Sequence, residues 1–336
     1  MRTRGAVLMA APAPGVRSEL EVVDLDLDGP RQDELLVKMV AAGLCHSDDH
    51  MVTGDLPSRM HPICLGHEGS GVVREVGPHT PGWEVGDHVV LSCLPQCGRC
   101  KMCATGHGNL CDLAQHLMLG SRFDDPQSWR MSLEGKPVGQ WCGVGTFSEY
   151  TTVGVVSAVK IDKSIPLDKA CLVGCGVNTG WGSGFNMAQP VPGDTVIVMG
   201  IGGIGAFALQ GARHGGATNV IAVDPVEFKR SKALEIGATH TAADMTEATE
   251  IARSLTNGQG AAATIVTVGT LEPEHITEAF DSVAKRGTVV LTALGDSAHV
   301  GLPISPFELT LYQKRIQGSM FGGVAPMWDV TKMLDM

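Results

Sequence analysis

From Gly193 to Pro225 the chain reads GDTVIVMGIGGIGAFALQGARHGGATNVIAVDP. Thr195 to Met199 predict a short buried strand that runs into Gly200-x-Gly202-x-x-Gly205. A helical stretch follows to about His214, and a second apolar strand ends at Asp224. The bare glycine pattern is a weak signal, because Gly-rich turns are common. Between a strand and a helix, with an acid 19 positions past the last glycine, it becomes specific. Gly200 permits a tight turn, and Gly202, with Gly203 beside it, lets the backbone approach a pyrophosphate. Gly205 allows close helix–strand packing, and the helix N-terminus supplies positive potential. Asp224 is placed to accept hydrogen bonds from an adenosine ribose and to repel a 2′-phosphate, which selects NAD over NADP.

The alternation continues downstream. EFKRSKALEIGA and TEATEIARSLTNGQG read as helices, ATIVTVG as a strand, EHITEAFDSVAK as a helix and GTVVLTAL as a strand, with YQKRIQGSM as the last strand. That order implies an α/β fold, a doubly wound parallel sheet over about residues 180–320. Upstream the character changes to short β-rich segments punctuated by Gly and Pro, such as GSGVVREVG and VGDHVVLS, which suit a compact β domain carrying loops. No repeat, low-complexity tract or linker separates the two, so they are expected to join through a helix beginning near Cys175. A length of 336 residues also exceeds what one core comfortably supports. The net charge of −11 argues against nucleic acid or an anionic membrane as partner. No run approaches ~18 continuous apolar residues, so no transmembrane helix is expected. The start, MRTRGAVLMAAPAP, has too short an apolar core for a signal peptide and reads as a first strand, which implies a cytoplasmic protein.

In a reducing compartment the 10 cysteines read as ligands or buried thiols rather than disulfides. Cys97, Cys100, Cys103 and Cys111 form C-x2-C-x2-C-x7-C, within a lobe of about residues 93–115. Short C-x2-C steps curl successive sulfurs around one ion, and a fourth thiolate closes a tetrahedral shell. Iron–sulfur clusters use related spacings. The intervening Gly, Arg, Lys and Met, with no Pro after the last Cys, favour a closed structural zinc that stabilises a loop too poor in apolar residues to fold alone. A second candidate is dispersed: Cys45 in GLCHSDDH, His67 in LGHEGSG and Cys175 in LVGCGVNTG. Singly, each is more ordinary as a packed core residue. Together they supply two thiolates and one imidazole and leave a fourth position open, the arrangement of a catalytic zinc. Asp48 and Glu68, beside these residues, are candidate carboxylates to orient the imidazole.

These motifs, in this order, resemble the zinc-dependent medium-chain alcohol dehydrogenases across essentially the whole chain. Two cysteines and a histidine are the catalytic zinc ligands already known for alcohol dehydrogenases. The resemblance implies a GroES-like β-rich catalytic domain (1–179), a Rossmann cofactor domain (180–320) and an active-site cleft between them. GIGGIG, CLVGCGVNTGWGS and TLYQKRIQGS look most like the nitrosoaniline-dependent subgroup, whose members resemble nicotinoproteins that hold NAD through the cycle and pass electrons to another acceptor. Carried onto this chain, Cys45, His67 and Cys175 would hold the catalytic zinc, with Glu68 close by. His46 would meet the cofactor pyrophosphate, Ser47 would take the alcohol proton and His50 would be the distal member of the relay. Thr179 would lie near the nicotinamide ring with Ile204 packed behind it. Lys229 would pair with the adenosine ribose, and Thr292, Ala293 and Leu294 would meet the carboxamide. Leu56, Cys93, Trp141 and Leu294 would line the substrate pocket. Zinc there acts as a Lewis acid that lowers the pKa of a bound alcohol.

Relatives often carry an aromatic ring where Cys93 stands, so a wider inner pocket for bulkier or branched primary alcohols is expected. Leu56 and Ser58 stand where formaldehyde-type relatives carry acids, against a glutathione adduct as substrate. Polyol dehydrogenases, the nearest rival, often lack the four-cysteine lobe. An inactive or purely structural nucleotide-binding relative is disfavoured by retention of all three zinc ligands and the relay. Residues 321–336 begin a return to the catalytic domain and stop at TKMLDM inside a helix, where family members continue. The full expectation is an oxidoreductase with two zinc ions per subunit and NAD, acting on a small alcohol or aldehyde as a homodimer or homotetramer.

Overall fold

The computed structural model describes residues 1–13, 16–56, 58–296 and 299–336. The chain divides into two compact units, Met1–Gly176 with Ala325–Met336, and Val177–Val324.

The first unit contains strands β1 (Arg2–Leu8), β2 (Glu21–Leu27), β3 (Glu34–Ala42), β4 (Ile63–Cys64), β5 (Gly69–Val76), β6 (His88–Leu91), β7 (Met131–Leu133), β8 (Lys136–Gln140), β9 (Tyr150–Gly154) and β10 (Ala158–Ile161). Five of them close a barrel in the order β1-β2-β7-β8-β4; the other five form a sheet in the order β10-β6-β5-β3-β9. Closure removes free strand edges, and one core cluster joins Val7, Leu25, Leu27, Cys64, Met131 and Val138 of the barrel strands to Leu36 of β3. A buried ionic network lies in the same unit. Arg122 (1% exposed) bonds both Glu34 oxygens, and Arg130 Nε donates to Glu34 Oε1 at 2.7 Å. Helix α1 (His46–Thr53) follows β3, with α2 (Lys101–Ala104) and α3 (Leu167–Ala170) later in the chain.

Helix α4 (Gly176–Gly182) leads into a π turn, Ser183–Met187, and then the parallel sheet. Its strands are β11 (Thr195–Met199), β12 (Asn219–Val223), β13 (His240–Ala242), β14 (Ala261–Val266), β15 (Val283–Leu291) and β16 (Arg315–Gly318), in the order β13-β12-β11-β14-β15-β16. Between them run α5 (Gly203–His214), α6 (Glu227–Glu235), α7 (Met245–Leu255), α8 (Pro273–Ser282) and α9 (Pro306–Leu311). The apolar run of β11 divides by alternation. Val196 and Val198 pack with Ala208, Leu209 and Ala212 of α5, while Ile197 and Met199 pack with Ala248 of α7 and Phe280 of α8. A strand covered on both faces must be apolar at every position, which is why this one reads as continuous.

The glycines of α4 and the π turn let backbones meet. A Cβ at Gly184 would stand 2.1 Å from the Ala208 carbonyl oxygen, and one at Gly182 would stand 2.3 Å from that of Gly322. After the sheet, α10 (Pro326–Leu334) rejoins the first unit, where the Met327 N–H donates to Gln96 Oε1 at 2.9 Å. This helix is capped at Asp335, so it ends before the last residue rather than running through it.

Candidate functional site

At the end of β3 the chain passes Gly43, where a Cβ would lie 2.3 Å from Glu68 Oε1; only glycine lets the Glu68 carboxylate cross here. Cys45 is then the N-cap of α1, extended at φ −106°, and its side chain makes no capping hydrogen bond. Its thiol is therefore not spent on capping the helix. His67 (2% exposed) and Glu68 (3% exposed) follow β4, while Cys175 occupies the turn before α4. One ligand atom from each of Cys45, His67 and Cys175 lies within 4.8 Å of the other two.

His67 has an asymmetric environment. Its Nδ1 stands 3.0 Å from Asp48 Oδ2, a close charge contact short of hydrogen-bond alignment, and 3.1 Å from Trp141 Nε1. The other Asp48 oxygen accepts the Gly66 N–H at 3.0 Å, which fixes the carboxylate. Nε2 is buried and has no hydrogen-bond partner. An orphaned buried nitrogen costs about 1–3 kcal/mol, and a cation shared with two neighbouring sulfurs would satisfy it. Burial opposes charge on His67, yet Cys175 and Asp48 draw its pKa well above the ordinary value. The anionic partners that favour a proton there favour a dication equally. The Cys45 thiol is pushed up to about 12, first by its hydrogen bond to Cys175 and then by burial. These residues fit a zinc ion with one position left open. Burial pushes the Glu68 carboxyl up to about 7, against the Gly176 N–H that donates to Oε2 at 2.9 Å.

The relay candidates lie on α1. Ser47 is half-buried, and His46 is exposed, its ring centroid 4.9 Å from that of His50. His50 is buried, and its Nδ1 contacts Asp55 Oδ2 at 3.0 Å; Asp55 itself is half-exposed and accepts from the Thr53 hydroxyl at 2.7 Å. Sequence reading missed Asp55, although an acid five positions past the histidine was the available signal. Of the pocket candidates, Trp141 and Cys93 are buried and Leu56 is half-buried, whereas Leu294 belongs to the other unit and is 49% exposed.

The four cysteines of the lobe bring their sulfurs within 4.8 Å of one another, with Cys97–Cys103 and Cys100–Cys111 both at 4.0 Å. Zn–S bonds near 2.3 Å in a tetrahedron need S···S edges of about 3.8 Å. Backbone N–H groups of Asp112 and Cys103 lower the Cys100 thiol to about 6. No residue of α2 is buried, so little apolar packing holds this lobe. The donor set fits a closed structural zinc.

In the second unit the glycine loop has one geometry per residue. Gly200 has φ +92°, a Cβ at Gly202 or Gly203 would meet nothing within 4 Å, and one at Gly205 would stand 1.9 Å from the Gly200 carbonyl oxygen. Gly202 caps α5 with no side chain, which leaves the helix N-terminus open to a phosphate. Ile204, half-buried, is in the first turn. Asp224 is 3% exposed; its Oδ2 accepts from Ile201 N–H at 2.9 Å and lies 3.3 Å from Lys229 Nζ, while Oδ1 accepts from Val226 N–H at 2.9 Å. It thus braces the glycine turn as well as ending β12. Arg230, which sequence reading passed over, donates to the Asp224 carbonyl at 2.7 Å. Thr179 is buried on α4. The N–H groups of Thr292 and Ala293 both donate to the Val266 carbonyl at 3.1 Å.

Residues 31–163 match the alcohol dehydrogenase GroES-like domain family and residues 203–336 the zinc-binding dehydrogenase family. The chain is 47% identical over 334 residues to an NDMA-dependent alcohol dehydrogenase of Amycolatopsis methanolica, covering 99% of this chain and 88% of that protein. It is 45% identical over 336 residues to alcohol dehydrogenase B of Mycobacterium tuberculosis, covering 100% and 88%. Among solved structures it is similar to an alcohol dehydrogenase zinc-binding domain protein from Burkholderia ambifaria (TM-score 0.89, 31% identity, 100% and 88% covered). It is also similar to benzyl alcohol dehydrogenase from Acinetobacter calcoaceticus (TM-score 0.84, 28% identity, 100% and 88% covered).

Proposed function

Because the chain belongs to the zinc-dependent alcohol dehydrogenase family, we propose that it oxidises primary alcohols to aldehydes, reversibly, with hydride transfer to an NAD that stays bound through the cycle. The observation that carries the reading is the orphaned His67 Nε2 beside the Cys45 and Cys175 thiols. Cys45, His67 and Cys175 hold the catalytic zinc; when bound, that ion supplies Lewis-acid polarisation of the substrate hydroxyl. Asp48 orients the His67 ring, as outer carboxylates of metal-bound histidines do. Ser47 receives the hydroxyl proton, and His50 passes it through Asp55, whose half-exposed carboxylate reaches solvent. Gly200 to Gly205 seat the pyrophosphate on α5, and Asp224 favours a free ribose hydroxyl over a phosphate. Cys97, Cys100, Cys103 and Cys111 hold a second, structural zinc.

Retention of NAD is what the resemblance to the nitrosoaniline-dependent subgroup implies, and the likeness to an NDMA-dependent alcohol dehydrogenase supports that subgroup. The test is a native mass spectrum of the purified chain, followed by initial rates with benzyl alcohol. Two zinc ions with nucleotide retained, and turnover with a nitrosoaniline acceptor but not with added NAD, are expected. Two ions without nucleotide, and turnover driven by free NAD, would replace this reading with an exchanging dehydrogenase. Loss of the ion at Cys45, His67 and Cys175 would remove it.

A further inference from the structure

We infer that Trp141 is a positioning residue for the catalytic ion: its indole N–H competes with Asp48 for one nitrogen of His67, and the competition holds the affinity for zinc down. The inference rests on the zinc reading above and deepens it.

His67 Nδ1 has two buried neighbours that require opposite things of it. Trp141 Nε1 lies 3.1 Å away and donates to it; Trp141 is 4% exposed and the two rings meet edge-on at 82°. An indole N–H can only donate, so this contact needs the lone pair on Nδ1. Asp48 Oδ2 lies 3.0 Å from the same atom and has no hydrogen-bond partner among the described residues. A carboxylate oxygen can only accept, so it needs a proton on Nδ1. A neutral imidazole carries one proton, on one nitrogen or the other. Ligation through Nε2 uses the lone pair there and leaves the proton on Nδ1, the form that Asp48 stabilises. The same form sets the Trp141 N–H against another N–H. Trp141 therefore favours the tautomer that cannot bind the ion.

Neither neighbour can withdraw. Trp141 opens a tight turn in which its carbonyl accepts the Val144 and Gly145 N–H groups at 3.1 and 3.2 Å, with Cys142 and Gly143 both at positive φ. Asp48 is held through its other oxygen by the Gly66 N–H at 3.0 Å. A Cβ at Gly66 would stand 2.5 Å from the Phe147 nitrogen, so the backbone that leads into His67 is packed as closely. Trp141 Nε1 has no other acceptor among the described residues. A buried donor without an acceptor is costly, and here only the ion-bound form carries that cost. Outer partners of a metal-bound histidine shift metal affinity by about 10–100-fold, and this one acts against the ion.

The experiment titrates the zinc-loaded chain and its Trp141→Phe variant with a chelator. It reads the dissociation constant of the ion held by Cys45, His67 and Cys175, with the ion of the four-cysteine lobe as internal reference. Phe keeps a ring and removes the N–H. The variant should hold the catalytic ion about tenfold more tightly, with the lobe ion unchanged. A merely structural tryptophan moves the affinity the other way, because a damaged wall loosens the ligands. Benzothienylalanine incorporated at position 141, with sulfur in place of the N–H in a ring of nearly the same shape, should tighten binding likewise. It keeps the test open if Trp141→Phe fails to fold. Unchanged or weaker binding in either folded replacement overturns the role assigned to Trp141 while leaving the zinc reading intact. A wild-type chain that binds no ion at Cys45, His67 and Cys175 overturns the zinc reading itself.

Discussion

At the scale of single residues, chemistry and packing often compete for the same atom. Asp224 was legible as the acid that closes a dinucleotide motif, but the structure also has it accept the N–H of Ile201, inside the glycine turn. Asp224→Ala should therefore do two things: relax the preference for NAD over NADP, and loosen the turn itself. The check is the ratio of the two affinities together with thermal stability; relaxed selectivity with unchanged stability would mean that the brace to Ile201 contributes little. Cys93 is buried beside the proposed zinc ligand Cys175, to which it hydrogen-bonds. Cys93→Phe should lower kcat/KM for benzyl alcohol while sparing ethanol, and an unchanged chain-length profile would count against a pocket widened by the thiol. His50 is buried against Asp55, not exposed as a bland surface histidine would be. His50→Ala should lower kcat by at least about tenfold with KM unchanged, because general acid–base groups contribute 10²–10⁴-fold in direct contact and less at the end of a relay. A rise in KM instead would make His50 a packing residue.

At the scale of elements, two arrangements invert simple propensity rules. Gly211 lies inside α5, where replacing Gly by Ala ordinarily gains about 1 kcal/mol. Here a Cβ would stand 2.1 Å from the Trp181 carbonyl oxygen, a backbone atom that cannot swing aside. Overpacking costs typically 1–3 kcal/mol, so Gly211→Ala should lower Tm; a rise would show that α4 and α5 can part at little cost. The second arrangement is the buried Glu34 on β3. Burial would push its carboxyl up, but the Arg130 charge, the Arg122 hydrogen bonds and the Arg31 N–H hold it below the ordinary value. A depressed folded pKa stabilises the fold above the unfolded value near ~4.3, and that contribution is lost as pH falls through the folded value. Glu34→Gln leaves two buried guanidinium groups without their anion and should cost roughly 3 kcal/mol at pH 7. The difference from wild type should shrink as pH drops below about 4. A constant gap across that range would locate the effect in shape rather than charge. The glycine loop, helices α5 to α8 and the four-cysteine lobe were readable from sequence, since each depends on neighbours within a few residues, whereas α9 and the short strand β13 were passed over and the α8 reading ran on into β15. The barrel order β1-β2-β7-β8-β4 was not, because it joins β2 to β7 more than 100 residues away and β1 and β8 to β4 across long stretches of chain.

At the scale of the whole molecule, the two proposed metal sites differ in what they hold. The lobe of Cys97 to Cys111 draws its order from the cysteines, since no residue of α2 is buried. The Cys45, His67 and Cys175 cluster is formed by segments anchored in the barrel unit. Cys100→Ser should therefore reduce zinc from two ions to one per subunit and lower Tm, while the retained ion stays with the catalytic set. Loss of both ions would mean that the lobe supports the other site. Sequence alone determined the alternation of strands and helices, the dinucleotide turn and the ligand types. Each of these is written in local spacing, period 2 or 3.6, or a glycine where no Cβ fits. It also determined the family, because the motifs recur in a fixed order. Only the tertiary structure decided that His67 keeps one ring nitrogen orphaned beside two thiols, that Asp55 backs His50, and that Trp141 and Asp48 meet at the other His67 nitrogen. Those relations reach along the chain, across 74 positions for Trp141. They depend on the directions of single lone pairs and protons, which spacing along a chain does not encode and packing does.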